Sequence, residues 1–226
     1  MATFSFAAHI RSATSSSIYE SFVSRSSRNA NNMNETSTPE RLNMFSDGVF
    51  AIIITVLVLD LRAPESPALA ALVPLWPTAL SYAVSYLFLA IVWVNHHHLL
   101  RYAKVATPRL IWSNFAHLFS MSLLPFSTAW MARTRLAPTP VALYAGVFVL
   151  VNATYLLLYW ELVDRSQRDS AEARRMMRMR SVLTLVVFAI ASLVSLRFPF
   201  WGLGLACACL ALYVRPDAPV FRVRAG

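Results

Sequence analysis

An all-α integral membrane protein with six transmembrane helices is the fold class this sequence predicts, on three observations. Hydrophobic residues make up 57% of the chain and charged residues only 14%, with a mean hydropathy of +0.52, whereas soluble domains run at about 45–50% apolar and about 25% charged. Several apolar runs have the length a helix needs to cross a bilayer. The cations also segregate: with six spans and the N-terminus inside, only Arg62, Arg133, Arg135 and Arg197 of the 20 Lys and Arg residues lie outside. That is the positive-inside pattern. It assigns the formal charge of +9 to topology, so no nucleic-acid partner is expected.

Residues 1–37 are rich in Ser, Asn and Ala, with Glu20 and Glu35 as their acids. That composition cannot bury a core and predicts a disordered cytoplasmic tail; an acid-poor, Ser/Arg-rich start also fits an organelle transit peptide. Residues 38–214 then form the six-helix membrane domain, and 215–226 a cytoplasmic C-terminal tail. The first span, Arg41 to Leu61, is about 30 Å long at ~1.5 Å per residue. Thr38-Pro39-Glu40 ahead of it offers an N-cap, a proline at the first helical position and an acid for the helix dipole. After a turn with two prolines, Arg62 to Pro67, the second span runs from roughly Leu75 to Leu99 and ends in Trp93-Val94-Asn95-His96-His97-His98.

The loop from Arg101 to Thr107 is basic, and Thr107-Pro108 repeats the cap-then-proline start. The third span reaches from Leu110 to about Ala132, with a kink expected at Pro125. Thr139-Pro140 starts a fourth, to about Leu162. Asp164 to Arg180 reads as a charged cytoplasmic connector, either a solvated loop or a segment whose Arg174, Arg175, Arg178 and Arg180 meet anionic headgroups. Ser181 to Leu196 and Pro199 to Val214 close the domain as a hairpin. Cys207 and Cys209, two apart on a helix, point to different faces and read as small core residues.

The first span carries the chemistry. At ~100° per residue, Phe45, Gly48, Ile52, Thr55, Val56 and Leu59 share one face, while Asp47, Phe50 and Ile54 fall on the other. Asp47 is the one charge between Arg41 and Asp60, and a carboxylate at membrane depth requires a partner. Trp93, Asn95, His96 and His97 end the second span at the same depth, and Asn114 and His117 begin the third there. A polar cluster fixing the first helix is therefore expected among them. The rival reading is a membrane enzyme or redox protein using His96, His97, His117 and Asp47. Adjacent histidines on a helix diverge by ~100° and no i, i+4 His pair or HExxH spacing exists, so no catalytic residue, metal or cofactor is assigned.

Arg41-x-x-x-Phe45-Ser46-Asp47-Gly48-Val49-Phe50-Ala51-Ile52, followed by Thr55, resembles the first-helix signature of the transmembrane protein 175 family. That family, known for endolysosomal and bacterial potassium channels, carries an arginine-x-x-x-phenylalanine-serine-aspartate motif at the cytoplasmic end of its pore-lining helix. The resemblance implies passive K⁺ transport, with the first helix lining a central pore in a homotetramer. Ile52, Thr55, Val56 and Leu59 would line and gate that pore. Arg41, Phe45, Ser46 and Asp47 would anchor the helix together with Trp93, Asn95, His96, His97 and Asn114, whose order looks like the family's polar positions on its second and third helices. A proton-permeable pathway is the alternative the family also allows. The filter sequence Thr-Val-Gly-Tyr-Gly is absent and the chain has only 5 glycines, so selectivity would come from a hydrophobic constriction and a hydroxyl ring. With one copy of the motif, a bacterial plasma membrane with both termini cytoplasmic is the expected setting, and K⁺ ions, sister subunits and the lipid bilayer are the expected partners.

Overall fold

The computed structural model describes residues 39–164 and 171–214. Both tails, the Thr38 cap and the middle of the charged connector lie outside the described residues. Among the described residues the chain is helical apart from short connections, with no strand. Helix α1, Pro39–Leu59, starts on the proline whose missing N–H a first helical turn does not need. It ends two residues before the expected boundary, where the Leu61 N–H turns back to Val58 O at 3.0 Å. A tight helical turn, Leu69–Leu75, leads into α2, Trp76–Leu100. Thr107 then caps α3, Pro108–Ser122, its hydroxyl accepting the Leu110 N–H at 3.2 Å.

The third pass is broken rather than kinked. Helix α3 stops at Ser122, Leu123 turns with φ −78° and ψ −13°, and α4 resumes at Leu124–Arg133. Pro125 has no N–H for the Met121 carbonyl, and its ring crowds that same group. The disruption therefore falls on the turn ahead of the proline. Helix α5, Pro138–Tyr159, begins one residue before the expected Thr139, because Pro138 itself supplies the start behind Ala137. It runs on through a wider π turn, Trp160–Asp164.

The connector departs most from expectation. Helix α6, Ala171–Ser195, begins inside it. Ala, Glu, Arg and Met from Ala171 to Arg180 are all good helix formers, with no Gly or Pro among them. Arg175, Arg178 and Arg180 are thus helical, in line with the span that follows. Helix α7, Pro199–Val214, returns beside α6 after the Arg197-Phe198 turn.

Four segments are long and apolar enough to cross a membrane: Pro39–Leu59, Leu69–Leu100, Pro138–Val163 and Arg178–Ser195. The broken α3/α4 pair and the shorter α7 bring the passes to six. Midway, Phe88 of α2 stacks on Phe148 of α5 at 3.7 Å between ring centroids, and Phe188 of α6 meets both edge-on. One end is closed by Leu42, Leu99, Leu110, Leu158 and Val163. At the opposite end Arg133 reaches Asp60 at 3.4 Å, and Ser192 Oγ donates to Ala142 O at 2.8 Å. Arg101, Lys104, Arg109, Arg175, Arg178 and Arg180 therefore share the first end, and Arg62, Arg133, Arg135 and Arg197 the second.

Candidate functional site

Helix α1 has two unlike faces. Phe50, Ile53 and Leu57 are 1%, 4% and 1% exposed, locked into a core with Val84, Phe88, Leu89 and Met121. Ile52, Val56 and Leu59 are 62%, 42% and 76% exposed, and Thr55 stands among them, also exposed. The four residues expected to line a pore thus form one bare stripe. Within it the Thr55 hydroxyl donates to Ile52 O at 2.7 Å, a bond within its own helix. Its single proton is committed there. Toward the bare side the oxygen offers lone pairs, the arrangement a cation can use.

At the start of α1 a buried relay of hydrogen bonds ties three helices together. Ser46 Oγ donates to Leu42 O at 2.8 Å, which leaves its oxygen to accept from Asn114 Nδ2 at 2.9 Å. Asn114 Oδ1 therefore faces His96 Nε2 at 2.7 Å, and the imidazole donates. All three side chains are fully buried. On the neighbouring turn Trp93 Nε1 donates to Asp47 Oδ1 at 2.8 Å, and Asn43 Nδ2 reaches the other carboxylate oxygen at 3.3 Å. The partner that a carboxylate at this depth requires is an indole N–H from α2.

The relay continues beyond α1. His96 lies parallel to His117 of α3 at 5.4 Å, and Phe50 is tilted against it at 5.3 Å. His117 Nδ1 meets Thr154 Oγ1 of α5 at 3.2 Å, and Ser120 Oγ lies 2.9 Å from the same hydroxyl. Nearer the opposite end, Ser85 of α2 joins Thr128 Oγ1 and the Tyr144 hydroxyl at 2.8 and 2.9 Å, a second buried polar knot. These bonds tie the helices into one packing, while among the described residues His96 Nδ1 and His117 Nε2 are buried without a hydrogen-bond partner.

Not every expected anchor is gathered here. Ser46, Asp47, Trp93, His96 and Asn114 converge. Phe45 contributes by its ring, 5.5 Å from Phe115 of α3. Arg41 is exposed at the helix start. Asn95 faces away, into a crevice with Asn152 and Ser181. His97 lies against Trp93 on its own helix at 5.7 Å and makes no bond to Asp47 or Asn114. The three consecutive histidines diverge, and among the described residues no three His, Cys, Asp or Glu side chains gather as metal ligands.

The fold and site define an all-helical membrane protein whose first helix is pinned on one face by a buried polar relay and left bare on the other. The sequence profile described as "Endosomal/lysosomal potassium channel TMEM175" matches residues 41–125, the segment that holds α1 through the start of α4. A potassium channel of Chryseobacterium sp. is 30% identical over 182 residues, covering 80% of this chain and 94% of that protein. One of Streptomyces collinus is 34% identical over 194 residues, covering 80% and 92%. This chain belongs to the TMEM175 family, a family of ion channels and not an enzyme class. Its fold also matches the crystal structure of a lysosomal potassium-selective channel TMEM175 homolog from Chamaesiphon minutus, with a TM-score of 0.70 and 24% identity over 78% of this chain and 96% of that one.

Proposed function

We propose that this chain is a K⁺ channel in which four copies place the bare stripe of α1 around a common axis. The observation that carries the reading is the contrast between the two faces of α1. One is fixed by Ser46, Asp47 and the apolar core, while Ile52, Thr55, Val56 and Leu59 stand uncovered along the length of a span. A lone helix cannot enclose a pore, and a fourfold ring of these helices does. Ile52 supplies the narrow apolar ring that excludes hydrated ions by dewetting, and Thr55 a ring of hydroxyl oxygens beyond it. The K⁺ assignment is supported by the bacterial relatives, which are named potassium channels and align along most of their length. Permeation is passive in this reading, which the relatives' description as channels supports.

The setting we infer is a bacterial plasma membrane, with the end that carries Arg101, Lys104, Arg109 and the α6 arginines facing the cytoplasm. Purified protein in liposomes under separate K⁺, Na⁺ and H⁺ gradients tests the function, with the mass of the detergent-solubilised complex measured on the same preparation. K⁺ flux from a four-subunit particle is the expected result. H⁺ flux without K⁺ flux, or flux from a particle of one subunit, would overturn the reading. Cysteines introduced at Ser66 and Ser170 test the orientation: reagent that cannot cross the membrane labels the first and spares the second in intact cells.

A further inference from the structure

Two flanks border the bare stripe of α1, and each carries an exposed aromatic face. Phe45 and Asp47, two apart on the helix, diverge by about 160°, and Ile52, Thr55 and Leu59 lie in the arc between them. Asp47 ties one edge of that arc to α2 through Trp93, and Phe45 ties the other to α3 through the Phe115 ring at 5.5 Å. On α2, Tyr82, Tyr86 and Trp93 share a helix face. Tyr86 and Trp93 are exposed there, and the two tyrosine rings lie 6.0 Å apart. On α3, Phe115, Phe119 and Ser122 share a face, and all three are exposed.

Tyr86 is ten residues from one end of α2 and fourteen from the other, about 15 Å or more from either. Among the described residues neither its hydroxyl nor that of Tyr82 has a hydrogen-bond partner, and hydrocarbon offers a phenol nothing to bond. A face that suits lipid looks different: Leu183, Val186, Ile190 and Leu193 form an exposed row on α6 and are wholly aliphatic. The third pass carries the complement at the right level. Trp93 bonds Asp47 and Asn114 bonds Ser46, adjacent residues of α1; seven residues outward from Trp93 is Tyr86, and eight outward from Asn114 is Ser122. Ser85, beside Tyr86, meets Thr128 of α4, so the level of Tyr86 falls between Ser122 and Thr128. Ser122 donates its proton to Phe119 O at 2.7 Å, which leaves its oxygen as an acceptor. A closed ring of identical subunits is joined head to tail, so the α2 flank of each copy meets the α3 flank of the next. From these placements we infer that the Tyr82, Tyr86 and Trp93 face docks a second copy of this chain by its Phe115, Phe119 and Ser122 face, the Tyr86 hydroxyl donating to the Ser122 oxygen of the next subunit. The inference rests on the fourfold reading above and adds to it which faces meet.

Photo-crosslinking of the full chain in the membranes of expressing cells tests it. With p-benzoyl-phenylalanine in place of Tyr86, irradiation is expected to give a dimer band in which trypsin leaves the probe joined to the α3–α4 peptide that Arg109 and Arg133 delimit. The same probe in place of Ile190, on the aliphatic row of α6, gives none. In place of Ile52 it checks the ring itself by joining two first helices. Dimers from the Ile52 probe with none from the Tyr86 probe, or Tyr86 dimers joined through another peptide, would overturn the docking surface and leave the channel reading standing. Dimers from neither probe would overturn both, and an Ile190 dimer as strong as the Tyr86 one would overturn the docking surface. Tyr86→Phe supplies a second measure that folding does not confound, since the hydroxyl it removes has no partner within its own chain. The subunit interface in detergent is expected to weaken about fivefold in dissociation constant, and an unchanged constant would overturn the hydroxyl contact.

Discussion

The indole N–H of Trp93 meets the carboxylate of Asp47 at 2.8 Å, joining the end of α2 to the start of α1. A hydrogen bond to a charged group stabilises by about 1.5–3 kcal/mol, and this one satisfies the acid that interrupts the first span. Trp93→Phe keeps the ring and removes the donor. The expected outcome is a lower midpoint of thermal unfolding in detergent and a lower yield of assembled protein, with the K⁺/Na⁺ ratio of whatever assembles unchanged. Asp47→Ala gives the same result more strongly, since it frees Trp93 and Asn43 together. Intact assemblies with altered selectivity would show that Asp47 faces the ion path after all.

Asn114 tests the buried relay. It is the side chain that bonds both Ser46 and His96. Asn114→Leu, close in volume, leaves His96 Nε2 unpartnered and Ser46 Oγ with only its bond to Leu42 O, at about 1–3 kcal/mol. A loss of that order in unfolding free energy is expected. The double change Asn114→Leu with Ser46→Ala is expected to cost less than the sum of the two single changes, because the Ser46–Asn114 bond is lost only once. A purely additive double variant would show that the two residues do not act together.

Much of this site was legible in the sequence because it depended on depth and charge. A lone acid in an apolar span, and Trp, His and Asn at the ends of the next two spans, were enough to bring Asp47, Trp93, His96 and Asn114 together. Asn95 and His97 were misplaced because neighbouring helical residues diverge by about 100°, the same geometry that separates the three histidines. Asn43 was readable in principle, one turn ahead of Asp47 at i, i+4. Thr154 and its link to His117 were not, since a threonine within an apolar α5 acquires a partner only from how α3 packs against it. The extension of α6 was hidden by reading charge density as loop, although Ala, Arg, Met and Glu favour a helix wherever the backbone continues one. The break at Leu123 followed from Pro125 but fell two residues ahead of the proline itself.

The α6–α7 hairpin supplies a check on packing far from the pore stripe. A Cβ built on Gly202 would collide with the Ser195 hydroxyl and lie 2.6 Å from Ala191 O, whereas one on Gly204 meets nothing. Gly202→Ala must push α7 away from α6 and is expected to cost about 1–3 kcal/mol as overpacking. Gly204→Ala, inside the same helix, is expected to be neutral or stabilising by up to about 1 kcal/mol. Thermal unfolding of the two variants side by side separates them. Equal midpoints would mean the hairpin is more loosely packed than its contacts indicate.

The gate prediction rests on the one stripe of α1 that packing leaves bare. Ile52 is one turn and a half deeper than Asp47, so the pinned end of the helix sets where it stands. In a fourfold ring its side chains make an apolar constriction, and water leaves such a constriction when it is narrow enough. Ile52→Asn wets it without altering the buried face, and basal K⁺ flux into liposomes is expected to rise. Thr55 lies three residues, just under a full turn, further on, its proton held by Ile52 O at 2.7 Å and its oxygen turned to the bare side. Partial dehydration costs less for K⁺ than for Na⁺, so hydroxyl oxygens that replace only some of the lost water favour K⁺. Thr55→Ala is therefore expected to lower the K⁺/Na⁺ flux ratio, by about fivefold for ~1 kcal/mol of lost ion contact, with smaller change in total flux. The two variants make opposite demands on one measurement: Ile52→Asn changes rate more than ratio, and Thr55→Ala changes ratio more than rate. If both leave flux and ratio unchanged in protein that keeps the wild-type assembly, the stripe is a packing surface and the ion path runs elsewhere.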